Sequence, residues 1–288
     1  MVIFENYDLK NLNTFSIPAR AKFFVEIKSM AELNELFLNT RFKENKKFFL
    51  GGGSNILLTG DFDGIVVKIS LLGKKILEQD DKKVLLEVSA GEDWHELVAY
   101  AVDNNWGGIE NLAFIPGSVG AAPIQNIAAY GGNFSDVFVS LDAFNTESGE
   151  IEIFDKERCH FGYRESVFKK ELKDKYIILR IRLVLSKNPK LETSYYQIGI
   201  TRNSIKDELE KIAEMPFTIK DVYQAVENIR TKKLPNPKIT PTVGSFFLNT
   251  IVSKDKYEEL KKQIAELQCY PLEQLHYENL NSQELKKE

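Results

Sequence analysis

The most informative stretch of the sequence lies between residues 47 and 58 and reads Lys47-Phe48-Phe49-Leu50-Gly51-Gly52-Gly53-Ser54-Asn55-Ile56-Leu57-Leu58. It predicts an apolar strand, a tight turn and a second apolar segment. Glycines allow close approach to the backbone, and a concave turn offers N–H groups to a phosphate. An ordinary tight turn explains the same residues. Both standard nucleotide motifs fail, because Ile56 replaces a required glycine and no Gly-Lys-Ser/Thr ending exists.

A second run of small residues reads Pro116-Gly117-Ser118-Val119-Gly120-Ala121-Ala122-Pro123. Such residues let a planar ligand lie directly on the backbone, although a close-packed turn has a similar composition. Gln125, Asn126 and Tyr130 follow at once, so this stretch is long and poor in core-forming residues. Its length favours a binding surface over a simple turn.

The segments around these stretches predict short strands followed by helices. Branched residues predict strands at residues 65–69, 84–88, 151–154 and 176–185, with a polar turn from Leu72 to Asp81. Asp93 to Glu96 predicts a capping box that opens a helix. After Ser186 the chain becomes charged and helical, with helices expected after Thr218 and after Ser253. We therefore expect a domain boundary near residue 187.

The composition is that of a soluble globular protein. The chain has 288 residues, of which 43% are apolar and 28% charged. A net charge of −4 leaves no basic field for nucleic acid or an anionic membrane. Cys159 and Cys269 lack C-x-x-C spacing, and His95, His160 and His276 are scattered, so neither a disulfide nor a metal site is indicated. The lack of a signal peptide and of a long apolar run predicts a cytoplasmic protein.

Two further segments carry candidate chemistry. Phe161-Gly162-Tyr163-Arg164-Glu165-Ser166 combines a guanidinium and a phenol, which suit a carboxylate ligand, or it is a solvated loop. Gly244-Ser245-Phe246-Phe247-Leu248-Asn249 offers a hydroxyl and an amide between apolar residues, or it is a half-buried strand. No Gly-x-Ser-x-Gly motif surrounds Ser245, so a serine hydrolase of that type is not supported.

Together these segments resemble the UDP-N-acetylenolpyruvoylglucosamine reductase family, the MurB-type flavoenzymes of peptidoglycan precursor synthesis. The matching segments occur in the family's order between about residues 13 and 252. They are Asn13-Thr14-Phe15, the Gly51 to Asn55 turn, residues 115–126, Ala129-Tyr130-Gly131, residues 161–169, Lys233-Leu234-Pro235, Pro237-Lys238 and Gly244-Ser245-Phe246-Phe247.

The resemblance implies an α+β fold. A two-part FAD-binding domain of the vanillyl-alcohol-oxidase (PCMH) type would occupy residues 1–187, and a smaller α+β substrate-binding domain residues 188–288. It implies non-covalent FAD, since Ser54 and Asn55 stand where related oxidases attach flavin through histidine. The residues implied to contact FAD are Gly51, Gly52, Gly53, Ser54, Asn55, Ile56, Ile115, Pro116, Gly117, Ser118, Gly120, Ala121, Ala129, Tyr130 and Gly131.

The resemblance also implies catalytic and substrate-binding residues. Arg164, helped by Tyr163, would hold the substrate carboxylate, and Ser245 would donate the proton that completes reduction by NADPH. Tyr195, Lys233 and Asn249 would bind the UDP diphosphate. The resemblance implies a monomer that acts on a small UDP-sugar, and the net charge argues against nucleic acid or a membrane as a partner.

One departure from the family concerns its C-terminal part. The family has a further glycine-rich segment and a terminal catalytic glutamate, whereas Glu273, Glu278 and Glu284 here lie in a different context. The substrate-binding domain is therefore expected to be incomplete. This leaves two hypotheses: an active reductase, or a catalytically impaired or truncated homologue that binds flavin or UDP-sugar without turnover.

Overall fold

The structure, a computed structural model, describes residues 1–195, 205–237, 239–264, 267 and 269. Lys238, His276 and the three glutamates Glu273, Glu278 and Glu284 lie outside these described residues. The strands are β1 (Phe4–Asp8), β2 (Arg20–Ile27), β3 (Lys46–Leu50), β4 (Phe62–Ile69), β5 (Lys74–Gln79), β6 (Lys83–Ser89), β7 (Ala128–Ala129), β8 (Gly132–Asn133), β9 (Phe138–Asn145), β10 (Ile151–Asp155) and β11 (Tyr176–Ser186). The helices are α1 (Met30–Leu38), α2 (Thr40–Glu44), α3 (Trp94–Asp103), α4 (Phe134–Val137), α5 (Lys156–Cys159), α6 (Ile205–Ile212), α7 (Ile219–Lys233) and α8 (Lys254–Gln263).

A four-stranded sheet forms the N-terminal part, in the order β1-β2-β4-β3. Strand β4 pairs in parallel with both β2 and β3. It is buried on both faces, as its continuous run of branched residues requires: Ile65 and Val67 join the main core, and Val66 packs in a smaller cluster with Phe24 and Leu50. The glycine turn, residues 51–55, directly follows β3 and therefore leaves from the carboxyl end of this sheet.

The second sheet is antiparallel, with five strands in the order β10-β9-β11-β6-β5. Along β11, Ile181 and Leu183 enter the core while Arg182 points to the other face. There the Arg182 guanidinium donates to both oxygens of Asp142, at 2.7 and 3.0 Å, and to Glu87 at 2.9 Å. The charged face is thus paired across three neighbouring strands.

Most predicted elements are confirmed, with specific exceptions. Strand β3 lies where the apolar run before the glycine turn predicts it, and β4, β6, β10 and β11 lie where the branched residues predict them. The polar turn predicted from Leu72 to Asp81 is wrong: it contains β5, an edge strand exposed at every position, so no apolar alternation marks it. Asp93 caps α3 by accepting from the Glu96 N–H at 3.0 Å, but the reciprocal bond of a capping box is not formed among the described residues.

The segment after β11 packs against the first part of the chain. Ser186 exchanges two backbone hydrogen bonds with Gly107, at 2.8 and 2.9 Å. Helix α7 begins with the predicted cap at Thr218, which forms a capping box with Asp221, and its Val222 joins the main core. By contrast, the helix predicted after Ser253, α8, forms but buries none of its residues. Among the described residues, no helix has the length and apolar character that crossing a bilayer requires.

Candidate functional site

The glycine turn meets a second loop, here called the small-residue loop (residues 115–126), through close backbone approach. A Cβ added to Gly52 would lie 2.7 Å from the Cα of Gly117. The Ser54 hydroxyl donates to the carbonyl oxygen of Pro116 at 2.8 Å, and the Asn55 amide donates to Gln125 at 3.0 Å. The two glycine-rich segments, more than 60 residues apart in sequence, therefore form one surface.

The glycine turn presents unused hydrogen-bond donors beside an unused hydroxyl. The N–H groups of residues 52–55 donate to no group in the described part of the chain. Thr14 donates its N–H to the Gly53 carbonyl at 3.1 Å, and its buried Oγ1 has no hydrogen-bond partner among the described residues. A buried hydroxyl without a partner is costly. These groups fit the pyrophosphate of a dinucleotide cofactor, which accepts several hydrogen bonds at once.

Asn13 shapes the turn that presents Thr14. Its amide nitrogen donates to the carbonyls of Leu9 and Ile17, at 2.9 and 3.1 Å, and its oxygen accepts from the Ile17 N–H at 3.0 Å. Because the side chain is buried and fully used in these bonds, Asn13 is a structural residue of the site.

The small-residue loop is hydrogen-bonded to the start of α3 and to the residues just before it. The backbone N–H of Trp94 donates to the Gly117 carbonyl at 2.9 Å, and the backbone N–H of Gly120 donates to the Ala90 carbonyl at 2.8 Å. A Cβ on Gly120 would lie 2.6 Å from the Cβ of Ala90, so only glycine fits there. The remaining positions predicted to contact FAD, Ile56, Ile115, Ser118, Ala121, Ala129 and Gly131, lie on or beside these two loops.

Two buried polar side chains attach the segment of Arg164 to the small-residue loop. Asn126 donates to the Gly162 carbonyl at 3.2 Å, and Ser166 donates to the Ile124 carbonyl at 2.7 Å. Tyr163 and Arg164 are half-buried in the tight turn between them, where Arg164 has a positive φ of 55°. The alternative of a fully solvated loop is therefore wrong, because the turn is anchored at both ends.

Arg230 is a site residue that the sequence did not reveal. Its Nε donates to the Phe114 carbonyl at 3.1 Å, and it lies close enough to Tyr130 for each group to shift the pKa of the other. Burial lowers the pKa of Arg230, and the positive charge of Arg164 acts in the same direction. Burial raises the pKa of Tyr130, an effect that the Arg230 charge opposes. The positive charges of Arg164 and Arg230 are therefore near enough to act on each other.

Tyr195 lies next to Tyr130, with ring centroids 6.0 Å apart in an edge-to-face arrangement. Buried Asn111 connects the two segments, because its amide donates to the Tyr130 carbonyl at 2.8 Å and to the carbonyl of Glu192, three residues before Tyr195, at 2.9 Å. Asn111 cannot be recognised from the sequence pattern, since a single asparagine after a predicted helix carries no periodicity or motif. The sequence feature that could have indicated it is the pair of polar residues between two apolar ones in Ile109-Glu110-Asn111-Leu112.

Ser245 lies in an exposed segment beside the Asn13 turn. Thr242 donates its N–H to the Thr14 carbonyl at 2.9 Å, and the rings of Phe246 and Phe15 are 6.3 Å apart. Residues 244–249 form no strand and are exposed, so the half-buried strand is wrong. The exposed side chains of Lys233 and Asn249 make no hydrogen bond or ion pair within the described ranges.

Comparison with known proteins identifies the family. Residues 21–155 match the FAD binding domain family. UDP-N-acetylenolpyruvoylglucosamine reductase of Flavobacterium johnsoniae is 45% identical over 273 residues, covering 94% of this chain and 78% of the relative. The same-named protein of Pseudomonas aeruginosa is 37% identical, covering 93% of this chain and 76% of the relative. The chain belongs to the UDP-N-acetylenolpyruvoylglucosamine reductase family.

A solved structure supports the same fold. The crystal structure of UDP-N-acetylenolpyruvylglucosamine reductase from Thermus caldophilus superposes with a TM-score of 0.60 at 23% identity, covering 86% of this chain and 74% of that chain. The predicted α+β fold with an FAD-binding domain is thereby confirmed. As a member of this reductase family, the protein is a flavoprotein oxidoreductase. The division at residue 187 remains a prediction.

Proposed function

We propose that the protein uses FAD and NADPH to reduce UDP-N-acetylglucosamine enolpyruvate to UDP-N-acetylmuramate. One observation carries the proposal: Asn126 and Ser166 anchor the turn of Arg164 to the loop that also meets the glycine turn. A carboxylate-binding arginine and a flavin-binding surface are thereby parts of one rigid unit. Rigid placement of this kind is what a charge-stabilising group requires.

The two loops would bind different parts of FAD. The N–H groups of residues 52–55 and the Thr14 hydroxyl would hold the pyrophosphate of FAD, and the small-residue loop would hold the flavin ring. When bound, FAD takes hydride from NADPH and gives hydride to the terminal carbon of the enolpyruvyl group.

Arg164 would stabilise the negative charge that develops in the reaction, and Ser245 would donate the proton. Hydride addition to the terminal carbon leaves negative charge on the adjacent carbon and its carboxylate. Arg164, with Tyr163 beside it, would pair with that carboxylate and lower the cost of the charge. The Ser245 hydroxyl would then donate a proton to the carbon bearing the ether oxygen, which completes the lactyl ether. NADPH is oxidised and one solvent proton restores the serine.

Tyr195, Lys233 and Asn249 would hold the UDP diphosphate. The contact of Tyr195 with Tyr130 supports this role for the tyrosine, because it puts a phenol next to a residue of the flavin surface. Lys233 ends α7 one helical turn after Arg230, so its ammonium belongs to the same helix face as a site residue. Both cationic side chains suit an anionic substrate.

The visible spectrum of the purified protein tests the proposal first. We expect a yellow protein that releases FAD, and not FMN, when it is denatured, because the site accommodates a pyrophosphate as well as a ring. NADPH should bleach the flavin, and the enolpyruvyl substrate should restore its colour. A colourless protein that fails to take up added FAD would refute the proposal.

Ser245→Ala separates turnover from mere binding. We expect this variant to bind FAD and to be bleached by NADPH normally, while substrate restores the colour about 10²–10⁴-fold more slowly. If the unmodified chain recovers colour no faster than the variant, the non-catalytic homologue hypothesis is correct. If both recover quickly, another group delivers the proton and the assignment of Ser245 is wrong.

A further inference from the structure

Phe114 has an unusual backbone conformation at the entrance to the small-residue loop. Its φ is +58°, in the left-handed region that a bulky aromatic residue seldom occupies. It directly precedes Ile115, the first residue of the loop. Such a conformation persists only where the surroundings impose it, and it is typical of functional sites.

Two side chains from different helices hold the peptide groups on either side of Phe114. The Nδ1 atom of His95, on α3, accepts from the Phe114 N–H at 3.2 Å. The Nε of Arg230, on α7, donates to the Phe114 carbonyl at 3.1 Å. Because the two peptide groups flanking a residue define its φ and ψ, this pair of hydrogen bonds fixes the backbone at Phe114.

The His95 ring is itself held in place. It lies 4.1 Å from the Phe114 ring and 6.0 Å from the Tyr223 ring, to which it is parallel within 4°. His95 also follows Trp94, whose N–H donates to the Gly117 carbonyl at 2.9 Å. The first turn of α3 therefore holds the loop at two points, residues 114 and 117.

We propose that His95 is a positioning residue for the flavin. By accepting the Phe114 N–H, it imposes the left-handed conformation that directs the small-residue loop toward the glycine turn. The inference rests on the proposed function, because it takes that loop as the flavin surface. His95 touches neither substrate nor the reacting atoms, so its effect passes through the backbone of Phe114.

A matched pair of variants separates the hydrogen bond from the packing of the ring. His95→Asn keeps an acceptor near the position of Nδ1 and loses the ring, whereas His95→Phe keeps a ring and loses the acceptor. We expect His95→Phe to raise the dissociation constant for FAD about tenfold, the effect of one lost buried hydrogen bond, and to alter the shape of the bound flavin's absorption bands. His95→Asn should stay within about threefold of the unmodified protein.

Phe114→Gly provides a second test, in which the effect of His95→Phe is measured in a different background. Glycine adopts positive φ without strain, so it reduces the need for the His95 hydrogen bond. The loss of FAD affinity caused by His95→Phe should therefore be smaller in the Phe114→Gly background. Thermal melting of each apoprotein checks that the variants are folded.

The outcomes distinguish the inference from the proposed function. If the unmodified protein does not bind FAD, the proposed function fails. If it binds FAD, and His95→Phe binds it equally well with an unchanged spectrum, only the positioning role of His95 is refuted. Equal impairment of His95→Phe and His95→Asn, with no rescue by Phe114→Gly, would also overturn the inference by assigning the residue to packing alone.

Discussion

The Ser54 hydroxyl donates to the Pro116 carbonyl oxygen at 2.8 Å, so a side chain of the glycine turn is bonded to the backbone of the small-residue loop. Around this bond the two loops lie so close that a Cβ added to Gly52 would be 2.7 Å from the Cα of Gly117. The two loops can approach this closely only because Gly52 has no side chain. Adding one methyl group is therefore the most direct perturbation of the site.

Gly52→Ala is expected to weaken FAD binding and to destabilise the protein. The new Cβ would lie 2.7 Å from Gly117 Cα, a backbone atom that cannot move aside independently. Overpacking of this kind costs about 1–3 kcal/mol. Denaturant unfolding of the apoprotein and titration with FAD measure the two effects.

Gly60→Ala is the matched control for that variant. A Cβ at Gly60 would meet nothing within 4 Å, so the free energy of unfolding should change by no more than about 0.5 kcal/mol and FAD affinity should stay constant. Equal FAD affinity in the Gly52→Ala variant would show that the approach of the two loops does not define the cofactor site.

Thr14→Val is expected to have opposite effects on the apoprotein and on the FAD complex. The buried Thr14 Oγ1 has no partner among the described residues, so replacing it with a methyl group should stabilise the apoprotein by about 1 kcal/mol. If the hydroxyl bonds the cofactor, the same change weakens FAD binding about tenfold. Calorimetric titration with FAD and apoprotein unfolding measure both. Unchanged FAD affinity would assign the hydroxyl no role in binding.

The loops of this site could be predicted from sequence because their residues determine backbone conformation. Gly53 and Gly117 have positive φ, at 67° and 126°, and consecutive small residues expose backbone wherever they occur. Arg230 could not be found in this way. It is one of three basic residues near the end of α7, where basic residues are common in any helix. Its burial follows from the packing of α7 against the turn at residues 110–112, which is a tertiary property.

The difference between local sequence features and tertiary contacts also explains why strand β5 was not predicted. Residues 74–79 are exposed throughout β5, so their sequence carries no alternation between apolar and polar residues. The pairing with β6, in which Lys74 lies opposite Val88, makes them a strand. Edge strands depend on a partner more than on their own residues.

Glu26 should give the protein an acid-dependent stability that Glu26→Gln removes. A hydrogen bond from Lys68 lowers the pKa of Glu26 to about 2; burial opposes this shift, and bonds from Ser70 and Lys28 add to it. A lowered pKa contributes stability that is fully present above the unfolded value of 4.5 and is lost as the pH falls toward 2.

The measurement compares denaturant unfolding of the two proteins at several pH values. At pH 7 the unmodified protein should be more stable than Glu26→Gln by about 1–2 kcal/mol, and the difference should shrink as the pH falls below about 4.5. Glu171→Gln, at an exposed carboxylate, serves as the control and should show little difference at any pH. A difference that is independent of pH would exclude ionisation of Glu26 as its cause.

Arg164→Lys should slow the half-reaction with substrate far more than the half-reaction with NADPH. Lysine keeps the charge but not the planar, bidentate donor geometry that a carboxylate requires. Only the substrate half-reaction develops negative charge next to that carboxylate, so the loss of this contact should raise its barrier by about 2.7–4 kcal/mol. Stopped-flow absorbance of the flavin follows bleaching by NADPH and recovery with substrate in the same sample. The NADPH phase is thus the internal control, and equal slowing of both phases would mean that Arg164 positions the flavin instead of the substrate.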